Sequence, residues 1–120
     1  MSIAIIIPAY NETENLKNLV TKINQNLNNC EIYIIDDSKT NEGEKTLEQF
    51  KNINYIFRGK KLGRGSAVLV GIAKCIEKKN NIFIEMDADF SHNPSELKKN
   101  IKYFVNKKSD LLIASRYLSK

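Results

Sequence analysis

Two aspartates, Asp87 and Asp89, flank a single alanine at the end of an apolar run. Carboxylates at that point can turn toward one spot, and paired hard oxygen ligands suit Mg²⁺ or Mn²⁺, which complete their coordination with water and substrate phosphate. A plainer interpretation fits the same residues: Asp89 caps a turn or helix, and Asp87 is an acid at a strand end. The spacing alone leaves both open.

A second acidic pair, Asp36 and Asp37, follows another apolar run. Adjacent residues in an extended chain point in opposite directions, so these two do not easily chelate one ion. One carboxylate can accept hydrogen bonds from a nucleobase or ribose while the other faces a metal. Alternatively, one or both simply begin the turn at 38–41.

The loop at 60–67 combines two glycines with three basic residues. Glycines let the backbone approach a ligand closely, and the N–H groups at a helix start attract anions. The loop therefore predicts a diphosphate contact, although a flexible surface loop would have the same composition. Its spacing is neither that of a Walker loop nor that of a dinucleotide-binding turn.

Two other polar residues, His92 and Arg116, lie near predicted element ends. His92 is the only histidine and has no Ser or Cys partner in triad spacing, so we assign it a structural role at a helix entry rather than general-base catalysis. Arg116 ends an apolar run, where an unpaired guanidinium would be costly. We expect Arg116 to meet a carboxylate or a phosphate.

The elements that position these residues follow from β-branched runs that alternate with stretches of helical period. Five runs predict strands, at 3–7, 32–35, 53–57, 82–86 and 111–114. Runs that are apolar on both faces are typical of a parallel sheet covered by helices, and the order βαβαβαβαβ predicts an open, doubly wound α/β sheet. Ligands of such sheets lie beyond the carboxyl ends of the strands, which is where the polar residues fall.

The first predicted helix begins near Asn11 or Thr13, and Asn11 with Glu14 has the form of a capping box. Its apolar stripe consists of Leu16, Leu19, Val20, Ile23 and Leu27. A second, weaker helix spans roughly 42–50.

The third predicted helix runs from about 65 to 78, and the fourth begins with Asn93 as its cap and Pro94 in its first turn. The inward residues of the third are expected to be Val68, Leu69, Ile72, Ala73 and Ile76. Those of the fourth are expected to be Leu97, Ile101, Phe104 and Val105.

Composition limits the classes of protein that this chain can be. The 120 residues are 42% hydrophobic and 28% charged, which predicts one globular domain over 1–120. The net charge of +5 comes mainly from scattered lysines, so nucleic-acid binding is not expected.

No apolar stretch approaches the ~20 residues that cross a bilayer. The two cysteines, Cys30 and Cys75, lack the spacing of a zinc site or a disulfide framework. We expect reduced thiols in a cytoplasmic protein.

The motifs occur in the order and spacing of family-two glycosyltransferases with the GT-A fold. Five segments carry the resemblance: IIPAYNE at 6–12, DDS at 36–38, Arg58 with KLGRGSA at 61–67, MDADFSHNP at 86–94 and SRY at 115–117. The chain resembles most closely the polyprenyl-phosphate (dolichol-phosphate) mannosyltransferase branch. The resemblance covers the whole chain and implies the nucleotide-diphospho-sugar transferase fold. Arg64 departs from the family pattern, since a leucine is common there.

The resemblance implies which residues bind the donor, a nucleoside-diphosphate sugar such as GDP- or UDP-hexose. The nucleoside would be held by Pro8, Ala9, Tyr10 and Glu12, together with Asp36 or Asp37. The diphosphate would be bordered by Lys61, Gly63 and Gly65.

The resemblance also implies a metal site and an acceptor contact. Asp87 and Asp89 would bind the Mg²⁺ or Mn²⁺ that bridges the phosphates, and whether Ser91 is a further ligand is left open, because some members have a glutamine there. Arg116 would hold the phosphate of the acceptor or the diphosphate of the donor. Asp89 and Arg116 are the candidate catalytic residues.

The function that these roles imply is a metal-dependent, inverting transfer of a hexose to a polyprenyl (dolichyl) phosphate or another glycan-pathway acceptor. The alternative is a non-catalytic sugar-nucleotide-binding or assembly module. Family members carry a further acceptor half, so we expect this chain to be the donor half and to expose apolar surface. Self-association or a partner chain would complete the fold, and contact with the cytoplasmic face of a membrane would be peripheral.

Overall fold

The computed structural model describes residues 2–89 and 93–106, which form a four-stranded parallel sheet between two layers of helices. The strands are β1 (Ile3–Ala9), β2 (Cys30–Asp36), β3 (Ile53–Phe57) and β4 (Ile82–Glu85). The helices are α1 (Thr13–Asn26), α2 (Glu42–Thr46), α3 (Arg64–Glu77) and α4 (Leu97–Asn106), with a 3₁₀ turn at Pro94–Glu96. The predicted fold class is confirmed. The strand predicted at 111–114 lies outside the described residues.

The strands lie in the order β3-β2-β1-β4, and all pairs are parallel. Ile5 of β1 is level with Ile32 of β2 on one side and Ile84 of β4 on the other. The chain adds β2 and β3 on one side of β1 and then crosses back to place β4 on the opposite side. This reversal leaves a crevice beyond the carboxyl ends of β1 and β4, where open α/β sheets bind ligands.

The central strand β1 is apolar on both faces because both faces are covered. Ile5 and Ile7 pack among the residues of α1 and α4, whereas Ala4 and Ile6 pack against α3. All four side chains are at most 1% exposed. Burying an isoleucine side chain contributes about 1.5–3 kcal/mol to folding, so this strand anchors both layers of helices.

Helix α1 has the predicted apolar stripe, but the predicted capping box is wrong. Glu12, not Asn11, is the N-cap residue, and no side chain caps the helix. Asn11 has a φ of +56° and its backbone N–H donates to Ser38 Oγ at 2.8 Å. The Asn11 backbone is therefore turned toward the end of β2, away from the helix.

The inward face of α3 differs from the predicted one. Its buried residues are Ala67, Gly71 and Cys75, whereas Leu69 and Ile76 are 69% and 63% exposed. A Cβ at Gly71 would overlap Ile6 Cγ2, so the helix approaches β1 more closely than bulky residues would allow. The pattern of large apolar residues indicated the wrong face because small residues make this contact.

The remaining helices agree with the sequence in part. Helix α2 ends at Thr46 rather than near residue 50, because i to i−3 hydrogen bonds at Leu47 and Phe50 turn the chain toward β3. The predicted cap before α4 is confirmed, since Asn93 Oδ1 accepts the backbone N–H of Ser95 at 3.0 Å.

Some large apolar side chains of α3 and β4 are exposed to solvent. Leu69, Ile76 and Phe83 expose apolar surface on the α3 side of the sheet. The expected apolar surface for a missing acceptor half, and self-association through it, stay predictions. Both cysteines of the described residues, Cys30 and Cys75, are free thiols, and they are 2% and 0% exposed.

Among the helices of residues 2–89 and 93–106, none has the length and apolar composition of a membrane span.

Candidate functional site

A cleft of about 320 Å³ opens at the carboxyl edge of the sheet, where β1 and β4 end. It is lined by Pro8, Ala9, Tyr10, Glu12, Asp37, Lys61, Gly63, Arg64, Ala67, Asp87, Ala88 and Asp89. These residues come from the ends of three strands and the segments that follow them, from the loop before α3 and from the first residues of α3. The topology thus brings together most of the residues that the sequence singled out.

The loop after β1 forms one wall of the cleft. Tyr10 is 40% exposed, and the Nζ of Lys61 lies 5.0 Å from the centroid of its ring, within the range of a cation–π contact. Glu12 is the N-cap residue of α1, and its carboxylate accepts a hydrogen bond from Asn15 Nδ2 at 2.6 Å. The ring of Tyr10 and the carboxylate of Glu12 therefore both line the cleft next to the start of α1.

Asp36 does not line the cleft. It is 1% exposed, and its Oδ1 accepts the backbone N–H of Ser38 at 2.9 Å and the Ser38 hydroxyl at 2.5 Å. The hydroxyl of Tyr55 donates to Oδ2 at 2.5 Å. Burial, the hydrogen bond to Asp36 and the charge of that carboxylate raise the pKa of Tyr55. Asp36 therefore holds the end of β2 against β3, and a contact with a nucleoside stays a prediction.

Asp37 faces the cleft and organises the loop across from it. Arg58 donates from Nε to Oδ1 at 2.6 Å and from Nη2 to Oδ2 at 2.9 Å. The backbone N–H groups of Leu62 and Gly63 donate to Oδ2 at 2.9 and 3.1 Å. Burial alone would raise the pKa of Asp37, but the bonds from Arg58 and the two amides outweigh it and lower the pKa.

The loop at 60–67 brings Lys61 and Gly63 to the cleft, while Gly65 is not among the lining residues. Gly63 precedes α3 with a φ of +103°, a conformation that other residues rarely adopt, and its carbonyl accepts from Arg58 Nη2 at 3.2 Å. Arg58 Nη1 also donates to Ser66 Oγ at 2.8 Å. The turn into α3 is therefore held in place before any ligand binds.

Asp87 and Asp89 both line the cleft, as predicted, and Asp87 has a cationic neighbour that the sequence did not assign. Arg64 donates to Asp87 Oδ1 from Nε at 3.0 Å and from Nη2 at 2.6 Å, and it also forms an ion pair with Glu85. The described ranges contain no cluster of three His, Cys, Asp or Glu residues that would form a metal site without help from a ligand. Among the described residues, the carboxylates of Asp87 and Asp89 are the donors that lie beyond the end of β4 in this cleft.

Nine of the predicted site residues thus line one cleft: Pro8, Ala9, Tyr10, Glu12, Asp37, Lys61, Gly63, Asp87 and Asp89. Asp36 and Gly65 lie outside the lining, and Ser91, His92 and Arg116 lie outside the described residues. The sequence did not identify Arg58 as the partner of Asp37 or Arg64 as the partner of Asp87. Two signals were available: the place of Arg58 in the family pattern, and the rarity of arginine, which occurs at 58, 64 and 116 alone.

Residues 4–120 match the family described as Glycosyl transferase family 2. The chain belongs to this family, which confirms the resemblance drawn from its motifs.

Two curated relatives are similar to nearly the whole chain. A dolichol-phosphate mannosyltransferase from Pyrococcus furiosus is 37% identical over 98% of this chain and 34% of its own length. A polyprenol monophosphomannose synthase from Mycolicibacterium smegmatis is 33% identical over 95% of this chain and 44% of its own length. The chain therefore spans between a third and a half of the length of these relatives.

The fold is also similar to that of a solved structure of 4-diphosphocytidyl-2C-methyl-D-erythritol synthase. The TM-score is 0.65 at 20% sequence identity, covering 88% of this chain and 54% of that one. At this identity the likeness concerns the fold alone, and it agrees with the parallel sheet and its flanking helices.

Proposed function

We propose that this chain binds the sugar-nucleotide donor of a glycosyltransferase that moves a hexose to a polyprenyl phosphate. The observation that carries the proposal is the cleft, in which the β1 loop, the 60–67 loop and the two acids after β4 meet. The relatives named as dolichol-phosphate mannosyltransferase and polyprenol monophosphomannose synthase support a hexose donor and a polyprenyl phosphate acceptor.

The β1 loop is the proposed nucleoside site. The half-exposed ring of Tyr10 offers an apolar face to a base, and the carboxylate of Glu12 is an acceptor for ribose hydroxyls. Pro8 and Ala9 end β1 at the wall of the same cleft. Asp37 stabilises this site indirectly, because its Oδ1 already accepts from Arg58 and its Oδ2 from the backbone of the 60–67 loop.

The 60–67 loop is the proposed diphosphate site. Lys61 supplies a positive charge at the cleft, and the missing side chain of Gly63 lets a phosphate approach the backbone. The N–H of Gly63 already donates to Asp37, so we assign the contact at Gly63 to close approach and not to that amide.

Asp87 and Asp89 fit a site for Mg²⁺ or Mn²⁺ by the chemistry of their donors. Such ions are held by one or two carboxylates when substrate phosphates and water complete the coordination, and both carboxylates line the cleft. When bound, the ion supplies positive charge that stabilises the diphosphate as it leaves. The pairing of Asp87 with Arg64 supports a cation at this position.

The proposed reaction is a displacement at the anomeric carbon. An oxygen of the acceptor phosphate forms the new bond while the bond to the nucleoside diphosphate breaks, and attack from the opposite face inverts the configuration. The nucleophile is already an anion, so the cleft does not need a strong general base. We assign Arg116 to the acceptor or donor phosphate, and we expect peripheral contact with the membrane that holds the lipid acceptor.

Donor binding and transfer are tested separately. Calorimetric titration with GDP and with UDP, in Mn²⁺ or in EDTA, is expected to show metal-dependent binding of one nucleotide. Transfer of labelled hexose to polyprenyl phosphate is then measured with the protein that carries this chain. Binding without transfer or donor hydrolysis would favour a non-catalytic sugar-nucleotide-binding module, and binding of neither nucleotide would contradict the proposal.

A further inference from the structure

Arg64 lies at the first position of α3 and on the lining of the cleft. It lies between the carboxylate of Glu85, the last residue of β4, and that of Asp87, two residues further on. Two of its nitrogens donate to the same oxygen of Asp87, and it also pairs with Glu85. The side chain of Arg64 is 52% exposed, compared with 33% for Asp87 and 38% for Glu85. The guanidinium is therefore held by charge at the surface of the cleft and is not locked by packing.

Arg64 uses an oxygen that a divalent ion would also use. The metal proposed above needs a carboxylate oxygen of Asp87, and Oδ1 of that group already accepts from Nε and Nη2 of Arg64. A guanidinium and a metal ion repel each other when both are bound to one carboxylate, whichever of its oxygens the ion uses. Ion binding at Asp87 must therefore weaken the contact with Arg64.

Glu85 determines where the displaced guanidinium can go. Its carboxylate forms the second ion pair of Arg64, so the side chain stays anchored beside the cleft when Asp87 is given up. Beside that anchor, the cleft is lined by Lys61 and Gly63, which form the proposed diphosphate site. A guanidinium presents a fork of N–H donors that matches the oxygens of a phosphate.

We propose that Arg64 is a built-in counter-ion that the divalent cation displaces from Asp87, and that the displaced guanidinium binds the diphosphate of the donor. The inference rests on the proposed function and deepens it. Arg64 opposes the metal when the cleft holds no nucleotide and favours the nucleotide once the metal is bound. Metal and nucleotide binding are then coupled through one side chain.

The test compares Arg64→Leu with the unchanged protein in two binding experiments. Affinity for Mn²⁺ alone is measured by the electron paramagnetic resonance signal of the free ion. Affinity for the preferred nucleoside diphosphate in saturating Mn²⁺ is measured by calorimetry. Loss of a partly exposed ion pair predicts Mn²⁺ binding that is about two- to fivefold tighter. Loss of a charged bond to phosphate predicts nucleotide binding that is about tenfold weaker.

Two further variants make the result specific. Lys74→Leu removes one positive charge from the same helix at a residue that pairs with Glu77 and does not line the cleft, so both affinities should stay unchanged. Arg64→Lys keeps the charge but loses the fork, so it should shift both affinities in the same directions by less. The lysine variant also serves if Arg64→Leu does not fold.

Opposite shifts in the two affinities support the inference. If Arg64→Leu weakens both, Arg64 merely positions Asp87 and the inference is overturned. If both affinities stay unchanged while the unchanged protein binds Mn²⁺ and nucleotide, only the role of Arg64 fails. If the unchanged protein binds neither, the proposed function fails together with this inference.

Discussion

Asp37 and Arg58 meet through two parallel hydrogen bonds, with Nε of Arg58 2.6 Å from Oδ1 and Nη2 2.9 Å from Oδ2 of Asp37. The side chains are only 10% and 6% exposed for Arg58 and Asp37. The same carboxylate accepts the amides of Leu62 and Gly63, so an acid at the end of β2 fixes the loop that brings Lys61 to the cleft. The shape of the proposed diphosphate site thus depends on a residue outside that loop.

Asp37→Asn is expected to destabilise the protein by about 2–4 kcal/mol, because breaking a nearly buried ion pair leaves the Arg58 charge without its partner. Urea denaturation gives the free energy of unfolding. Lys60→Ala, an exposed residue of the same loop, should change it by less than about 0.5 kcal/mol. Equal values for Asp37→Asn and the unchanged protein would show that the pair does not stabilise the fold.

The stabilisation by Asp37 should depend on pH in a defined direction. Its pKa is lower in the folded than in the unfolded chain, where an aspartate has a pKa of about 3.9. The contribution is therefore present above that value and is lost as the pH falls through the lower, folded value. The difference in unfolding free energy between the unchanged protein and Asp37→Asn should be constant above about pH 5 and shrink toward about pH 3. A difference that grows on acidification would contradict this.

Gly71→Ala should destabilise the protein although alanine favours helices. The added Cβ would overlap Ile6 Cγ2 and lie 3.3 Å from Ile35 Cδ1, and overpacking of this kind costs about 1–3 kcal/mol. That exceeds the gain in helix propensity of up to about 1 kcal/mol. Gly65→Ala is the matched control, because its Cβ would meet nothing within 4 Å. Thermal unfolding should show a lower midpoint for Gly71→Ala and an equal or higher one for Gly65→Ala.

Asp89→Ala is expected to abolish metal-dependent nucleotide binding. The unfolding free energy should change by less than about 0.5 kcal/mol, because Asp89 is an exposed turn residue beyond the end of β4 and not part of the core. Calorimetry with Mn²⁺ and urea denaturation measure the two quantities. Glu77→Gln removes an acid of α3 that is absent from the cleft lining, and it should bind nucleotide normally. Unchanged nucleotide affinity in Asp89→Ala would remove Asp89 from the proposed site.

The strands could be predicted from the sequence, because short β-branched runs that are apolar on both faces are typical of strands in a parallel sheet covered by helices. The third strand was predicted with its observed bounds, Ile53–Phe57. The inward face of α3 could not be predicted, because large apolar residues occur all around that helix. The decisive contact is the fit of Gly71 against Ile6, which depends on the distance between the helix and the sheet.

The composition of the site could be predicted better than its internal pairing. Polar residues at strand ends had to meet at one edge of a parallel sheet, and Tyr10, Asp37 and Asp87 do so. Which of two adjacent acids faces the cleft was left open, because it depends on the register of β2. The bond from Tyr55 to Asp36 links the end of β2 to the middle of β3, and that from Arg58 to Asp37 links it to the residue after β3. No local sequence pattern indicates either bond.

The burial of both thiols has a practical consequence for studies in solution. Burial, with a smaller effect of the Glu31 charge, raises the pKa of Cys75 to about 11, and burial also raises the pKa of Cys30. Neither forms a reactive thiolate readily near neutral pH. A cysteine introduced at an exposed position such as Lys60 should therefore take up a maleimide fluorophore selectively, so ligand-induced movement of the loop can be followed without first replacing the native cysteines.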